Sequence, residues 1–132
     1  MIPTRPLSVV LIDDSADLRL LIRLAMDQSA EFELVAEAGD GRAGVEAARG
    51  SQPDLVLLDI AMPVMDGLQA LTLIREECPS AIVVVLSSFG NASGLPKQAA
   101  ALGAHGFLRK GSSASRLLDE LSSVVGSVTA SS

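Results

Sequence analysis

The chain has 132 residues, 48% hydrophobic and 20% charged, which suits one folded domain and excludes an intrinsically disordered one. Ten Lys and Arg against sixteen Asp and Glu leave a net charge of −6, which opposes the phosphate attraction behind nucleic-acid affinity; no direct nucleic-acid binding is expected. The apolar runs are too short to cross a bilayer, and without Trp or Tyr there is no aromatic platform for a flavin ring or unpaired bases.

In chain order, the first apolar run, Leu7 to Ile12, is rich in Val, Ile and Leu without polar alternation, the pattern of a central parallel strand. Leu18, Leu21, Ile22, Ala25 and Met26 then recur at helical spacing and predict one core-facing stripe. Phe32 to Ala36, interrupted by Glu33, reads as a strand nearer an edge, and Asp40 to Arg49 as a second helix. Leu55 to Leu58 is a third strand. A helix over Leu68 to Glu77, stopped by Pro79, follows it. Ala81 to Leu86 is a fourth strand, and Phe89 to Pro96 concentrates loop formers, predicting a mobile loop before a short, weak helix over Pro96 to Leu102. Gly106 to Leu108 is a short fifth strand near an edge. Leu117, Leu118, Leu121, Val124 and Val125 mark a last helix, with Ser112 or Ser113 as its N-cap. Ser127 to Ser132 is small and polar and reads as a flexible tail or the start of a linker.

Five alternations of strand and helix call for a parallel sheet covered on both faces, a doubly wound α/β fold. Such folds place their sites at the carboxyl ends of the strands. There the sequence supplies Asp13 and Asp14, Asp59, Ser87, and Lys110 preceded by Arg109. Three converging carboxylates repel one another unless a cation offsets them, and sparse oxygen ligands suit Mg²⁺, with Mn²⁺ as a substitute. A carboxylate attacking a phosphoryl group needs a metal, a cation and a hydroxyl donor beside it, which Lys110 and Ser87 would help provide. Cys78 is the only cysteine and His105 the only histidine, so neither a disulfide nor a zinc site is expected, and His105 at the start of the fifth strand reads as structural. The first residues show no secretory pattern, and a cytoplasmic protein without membrane association is expected.

The set Asp13-Asp14, the run Asp59-Ile60-Ala61-Met62-Pro63-Val64-Met65-Asp66-Gly67, and Ser87 and Lys110 resembles the receiver domain of two-component response regulators over residues 6–126. The resemblance implies a flavodoxin-like five-stranded parallel sheet of order 2-1-3-4-5 with five helices. It implies that Asp59 accepts a phosphoryl group from a phosphohistidine on a sensor histidine kinase or phosphotransfer protein. Asp14, Asp59 and the Ala61 carbonyl would ligate Mg²⁺, with Asp13 acting mainly through a bound water. Lys110 and Ser87 would contact the phosphoryl oxygens, and Phe107 would change exposure with the switch. The output would be the face of the fourth helix, fifth strand and fifth helix, toward a downstream protein, an output domain or a phosphorylation-dependent dimer partner.

The chain departs from that pattern in three places. Gly111 follows Lys110 where the family often has Pro. Ala61 and Phe89 stand where relatives position or exclude water, and neither can orient one, which predicts slow self-dephosphorylation. Asp66 and Gly67 read as helix-start residues. Arg5, Arg19 and Arg23 form no basic run and read as solvated or partner-facing. The alternatives are a receiver excised from a longer transcriptional regulator with a helix-turn-helix output domain, and an aspartyl-nucleophile phosphatase. The latter is disfavoured because Ala61 stands where such enzymes carry a second acid. A flavodoxin-like nucleotide carrier is disfavoured by the lack of a phosphate-binding glycine loop. In the leading reading the protein turns over no external metabolite.

Overall fold

The structure, a computed structural model, describes residues 5–60, 67–88, 94–111 and 113–130. Five strands, β1 (Leu7–Ile12), β2 (Phe32–Ala38), β3 (Leu55–Asp59), β4 (Ile82–Ser87) and β5 (Gly106–Arg109), alternate with five helices. The helices are α1 (Ala16–Asp27), α2 (Gly41–Ser51), α3 (Gly67–Glu77), α4 (Leu95–Ala101) and α5 (Ala114–Ala130). All pairings are parallel and the sheet order is β2-β1-β3-β4-β5, as the resemblance implied.

The unbroken apolar runs follow from burial on both faces. Alternate residues Val10, Ile12, Val56, Leu58, Val83 and Val85 pack with Val45 of α2, Leu71 and Ile74 of α3 and Ala99 of α4. Their neighbours Val9, Leu11, Leu55, Leu57, Val84 and Leu86 pack with Ile22 and Met26 of α1 and Leu117, Leu121 and Val125 of α5. A strand between two such layers carries no polar side, and truncating any of these leucines to alanine would cost about 2–5 kcal/mol.

Local chemistry starts the helices where the chain leaves the site. Ser15 Oγ accepts the Leu18 N–H and caps α1, and Asp40 accepts the Ala43 N–H and caps α2. Ser113 is the cap of α5, its hydroxyl accepting the Arg116 N–H. At α3 the need is close approach: a Cβ on Gly67 would lie 2.2 Å from the Ile60 Cα, so only glycine lets this helix start against the end of β3.

Two sequence readings are corrected. Leu21 is not core: it is 54% exposed, because the stripe facing the sheet is centred on Ile22 and a residue one step back lies about 100° around the helix. Leu20 and Leu24 on the far side are also exposed. The last helix does not stop near Ser127. It runs to Ala130, the buried Val125 anchors this stretch, and the Thr129 hydroxyl donates to the Val125 carbonyl one turn back. Of the predicted loop Phe89–Pro96, residues 89–93 lie outside the described residues; α4 begins at Leu95, has seven residues and no side-chain cap at Gly94.

Candidate functional site

The parallel sheet delivers the ends of β1, β3, β4 and β5 to one edge. Asp13 follows β1 directly and is fully buried, its N–H donating to the Ala38 carbonyl. Asp59 is the last residue of β3 and 1% exposed, Ser87 is the last of β4 and fully buried, and Lys110 comes immediately after β5. The Lys110 N–H donates to the Ser87 carbonyl at 2.8 Å, fixing where its side chain departs.

Lys110 Nζ lies 3.0 Å from Asp59 Oδ2, to which it donates a hydrogen bond, and 2.8 Å from Asp13 Oδ2. Asp13 Oδ1 accepts the Ser15 N–H at 2.8 Å, while its Oδ2 meets the ammonium as an ion pair. Burial pulls the Lys110 ammonium down, but the close carboxylates of Asp13 and Asp59 outweigh it and hold the group above its ordinary value. Lys110 is therefore a fixed cation.

Asp14 is exposed, yet one carboxylate oxygen from each of Asp13, Asp14 and Asp59 falls within 4.8 Å of the others. Among the described residues, three carboxylates thus stand beside one ammonium, an excess of negative charge. A buried carboxylate oxygen without a hydrogen bond, hard oxygen donors and an excess of negative charge suit a divalent cation such as Mg²⁺.

The structure thus brings Asp13, Asp14, Asp59, Ser87 and Lys110 to one edge. Phe107 is elsewhere: half-buried, it packs on the core beside α4 and lines a cavity of about 110 Å³ with Ala99, Ala104 and His105. Ala61, Asp66 and Phe89 lie outside the described residues. His105 is away from the cluster, its Nδ1 accepting the Val83 N–H at 3.0 Å; burial, then the nearby Arg75, lowers its pKa and favours the neutral ring that bond needs. Gly111 has φ 111°, a conformation proline cannot adopt.

Arg19 was read as a surface residue, and the structure corrects this. Its guanidinium donates to the Asp13 carbonyl and lies 3.4 Å from Glu37, which also holds Arg23 at 2.7 Å. β2 thereby braces the turn that carries Asp13 and Asp14. The available signal was spacing: Arg19 is four residues beyond the cap Ser15, on the side of α1 that faces back toward the strand end.

Comparison with known proteins agrees with this geometry. Residues 9–122 match the response regulator receiver domain. The chain is 39% identical over 115 residues to the chemotaxis protein CheY of Listeria monocytogenes, covering 87% of this chain and 95% of that one. It is 40% identical over 82 residues to a protein-glutamate methylesterase/protein-glutamine glutaminase of Geobacter sulfurreducens, covering 62% of this chain and only 23% of that longer protein. The CheX–CheY–BeF₃–Mg²⁺ complex of Borrelia burgdorferi superposes with a TM-score of 0.83 at 28% identity, over 92% of this chain and 90% of the other. The chain belongs to the response regulator receiver domain family.

Proposed function

We propose that Asp59 is the phosphoryl acceptor of this receiver domain and that residues 6–126 act as a switch whose own phosphorylation and dephosphorylation are the only reactions it performs. The observation that carries this is Lys110, clamped between the buried carboxylates of Asp13 and Asp59 beside the exposed Asp14. An Asp59 oxygen would attack the phosphorus of a phosphohistidine on a sensor histidine kinase or phosphotransfer protein. The acyl phosphate bond forms, the P–N bond breaks, and the electron pair leaves with the imidazole. Held by Asp14, Asp59 and the Ala61 carbonyl, with Asp13 acting mainly through a bound water, Mg²⁺ would neutralise charge on the transferred group. Lys110 would turn from Asp59 to a phosphoryl oxygen, and the Ser87 hydroxyl would donate to another.

Such a switch acts by shifting populations toward the state in which Ser87 and Lys110 reach the phosphoryl group, with Phe107 and the face of α4, β5 and α5 as output. The exposed Leu20, Leu21 and Leu24 on α1, the helix that starts at the acidic edge, suit contact with an apolar helix face of the phosphoryl donor. A second reading, a receiver that governs an output domain in a longer protein, is favoured by the methylesterase relative, of which this chain spans about a quarter. Intact-protein mass after incubation with Mg²⁺ and acetyl phosphate tests the proposal. One phosphoryl group should be gained, only with Mg²⁺, and not by Asp59→Asn. A gain that survives in the variant would overturn it.

A further inference from the structure

Two cavities open at the opposite end of the sheet from the acidic cluster. One of about 740 Å³ lies between the amino ends of β1 and β4 and the last turns of α5. The other, about 300 Å³, runs on along α5 toward Ser115. They share Glu31 and Ser122, whose hydroxyl donates to Glu31 Oε2 at 3.0 Å. The larger cavity has an apolar wall of Leu7, Pro53, Ala81, Ile82 and Val125, and its volume is that of a small-molecule pocket.

Its charge is one-sided. Among the described residues, the two linings hold Glu31, Asp54 and Asp119 and no Lys, Arg or His. Asp54 is already paired with Arg5. The negative poles of α2, α3 and α5 also point at this end, since the cavity is lined by Gln52 after α2, Cys78 after α3, and Val125, Gly126 and Thr129 of α5. The arginines in the last turns of α2 and α3 are committed elsewhere, Arg49 to Glu77 and Arg75 to the carbonyls of Pro79 and Ala81. No basic residue stands in the last turn of α5.

From this charge complementarity we infer that the cavity at the amino ends of β1 and β4 binds a small organic cation with an apolar body, its ammonium on Glu31 and its body against Leu7, Ile82 and Val125. The pocket is remote from Asp59 and does not depend on the phosphorylation reading.

The test uses three probes of one shape, 4-phenylbutylamine, 4-phenylbutan-1-ol and 4-phenylbutanoate, titrated into the full chain at low salt with Mg²⁺ present and followed by amide NMR shifts. The amine should move the amides of Glu31, Ser122 and Gly126 and bind roughly fivefold more tightly than the alcohol, while the acid should not bind. Glu31→Gln, whose amide oxygen still accepts from Ser122, should reduce the amine to the level of the alcohol. Gly126→Leu should weaken amine and alcohol together without lowering the unfolding temperature, because a Cβ at Gly126 meets nothing within 4 Å. The inference is overturned if the acid binds as well as the amine, if shifts centre on Asp13 instead, if Glu31→Gln leaves the preference intact, or if no probe binds at millimolar concentration.

Discussion

The two ends of the same sheet use aspartate in opposite ways. At the amino ends, Asp54 precedes β3 and is bonded to both Ser8 and Arg5. It accepts from the Ser8 N–H at 2.9 Å, the Ser8 hydroxyl at 3.1 Å and Arg5 at 3.0 Å, while its own N–H donates to Ser8 Oγ at 2.9 Å. At the carboxyl ends, Asp13 and Asp59 share one ammonium, and Asp13 Oδ2 has no hydrogen bond at all. A carboxylate whose Oδ2 collects three hydrogen bonds ties β1 to β3. Two buried carboxylates drawn to one ammonium beside a third, exposed carboxylate keep an affinity for a further cation.

This comparison can be broken most severely at Asp59: Asp59→Asn should abolish the Mg²⁺-dependent phosphoryl mass gain entirely while leaving the far-ultraviolet circular dichroism unchanged. Lys110→Met should come next, lowering the rate of phosphoryl gain by about 10²-fold, the scale for losing one preorganised charge contact. Timed mass spectrometry reads it, and a rate within threefold of the native chain would remove Lys110 from the proposed role.

At the satisfied end the expected loss is in stability. Burial raises the Asp54 pKa, but its bonds to Arg5 and Ser8 outweigh this and hold it below the usual carboxylate value of 3.8. The stabilisation it gives is therefore present above pH 3.8 and lost as pH falls through its lower folded value. Asp54→Asn should cost about 1 kcal/mol at pH 7 and flatten the stability profile below pH 4, measured by urea unfolding. The smallest effect is expected at Ala61, where Asn would supply a water-orienting amide. Ala61→Asn should shorten the lifetime of the acyl phosphate severalfold, read as phosphate release, and a longer lifetime would contradict the slow-hydrolysis reading.

Much of this was legible in the sequence, for reasons tied to particular residues. The convergence of Asp13, Asp59, Ser87 and Lys110 follows once five alternating units are recognised, because a parallel sheet sends every strand end to one side; the edge places of β2 and β5 follow from their interrupted or short apolar runs, and the strand order is what the resemblance implied. Leu21 was misread because five apolar residues in helical register do not say where the stripe is centred, and only contact with the sheet selects Ile22. The role of Arg19 was signalled only by its spacing from Ser15, because one of its partners, the Asp13 carbonyl, leaves no trace in residue type. Ser127 to Ala130 looked like a tail on composition, yet helix can extend from a buried anchor such as Val125 through residues of indifferent propensity. Gln52, at φ 45°, is a further case: its amide donates to the Arg49 and Glu77 carbonyls, and no local pattern announces a left-handed glutamine.

The pairing of β1 with β2 slips by one residue between Val9 and Val10, so that Val9 faces Leu34 but Val10 faces Ala36. Leu34 then joins one core layer and Ala36 the other, while Val35 is left out of register and 43% exposed. A sheet edge with such a kink is a poor template for another chain, since an incoming straight strand cannot match its hydrogen bonds on both sides of the slip. The opposite edge, β5, has only four residues to offer. A molecule with so apolar a sheet is thus guarded against fibrous self-association at one margin by irregularity and at the other by brevity.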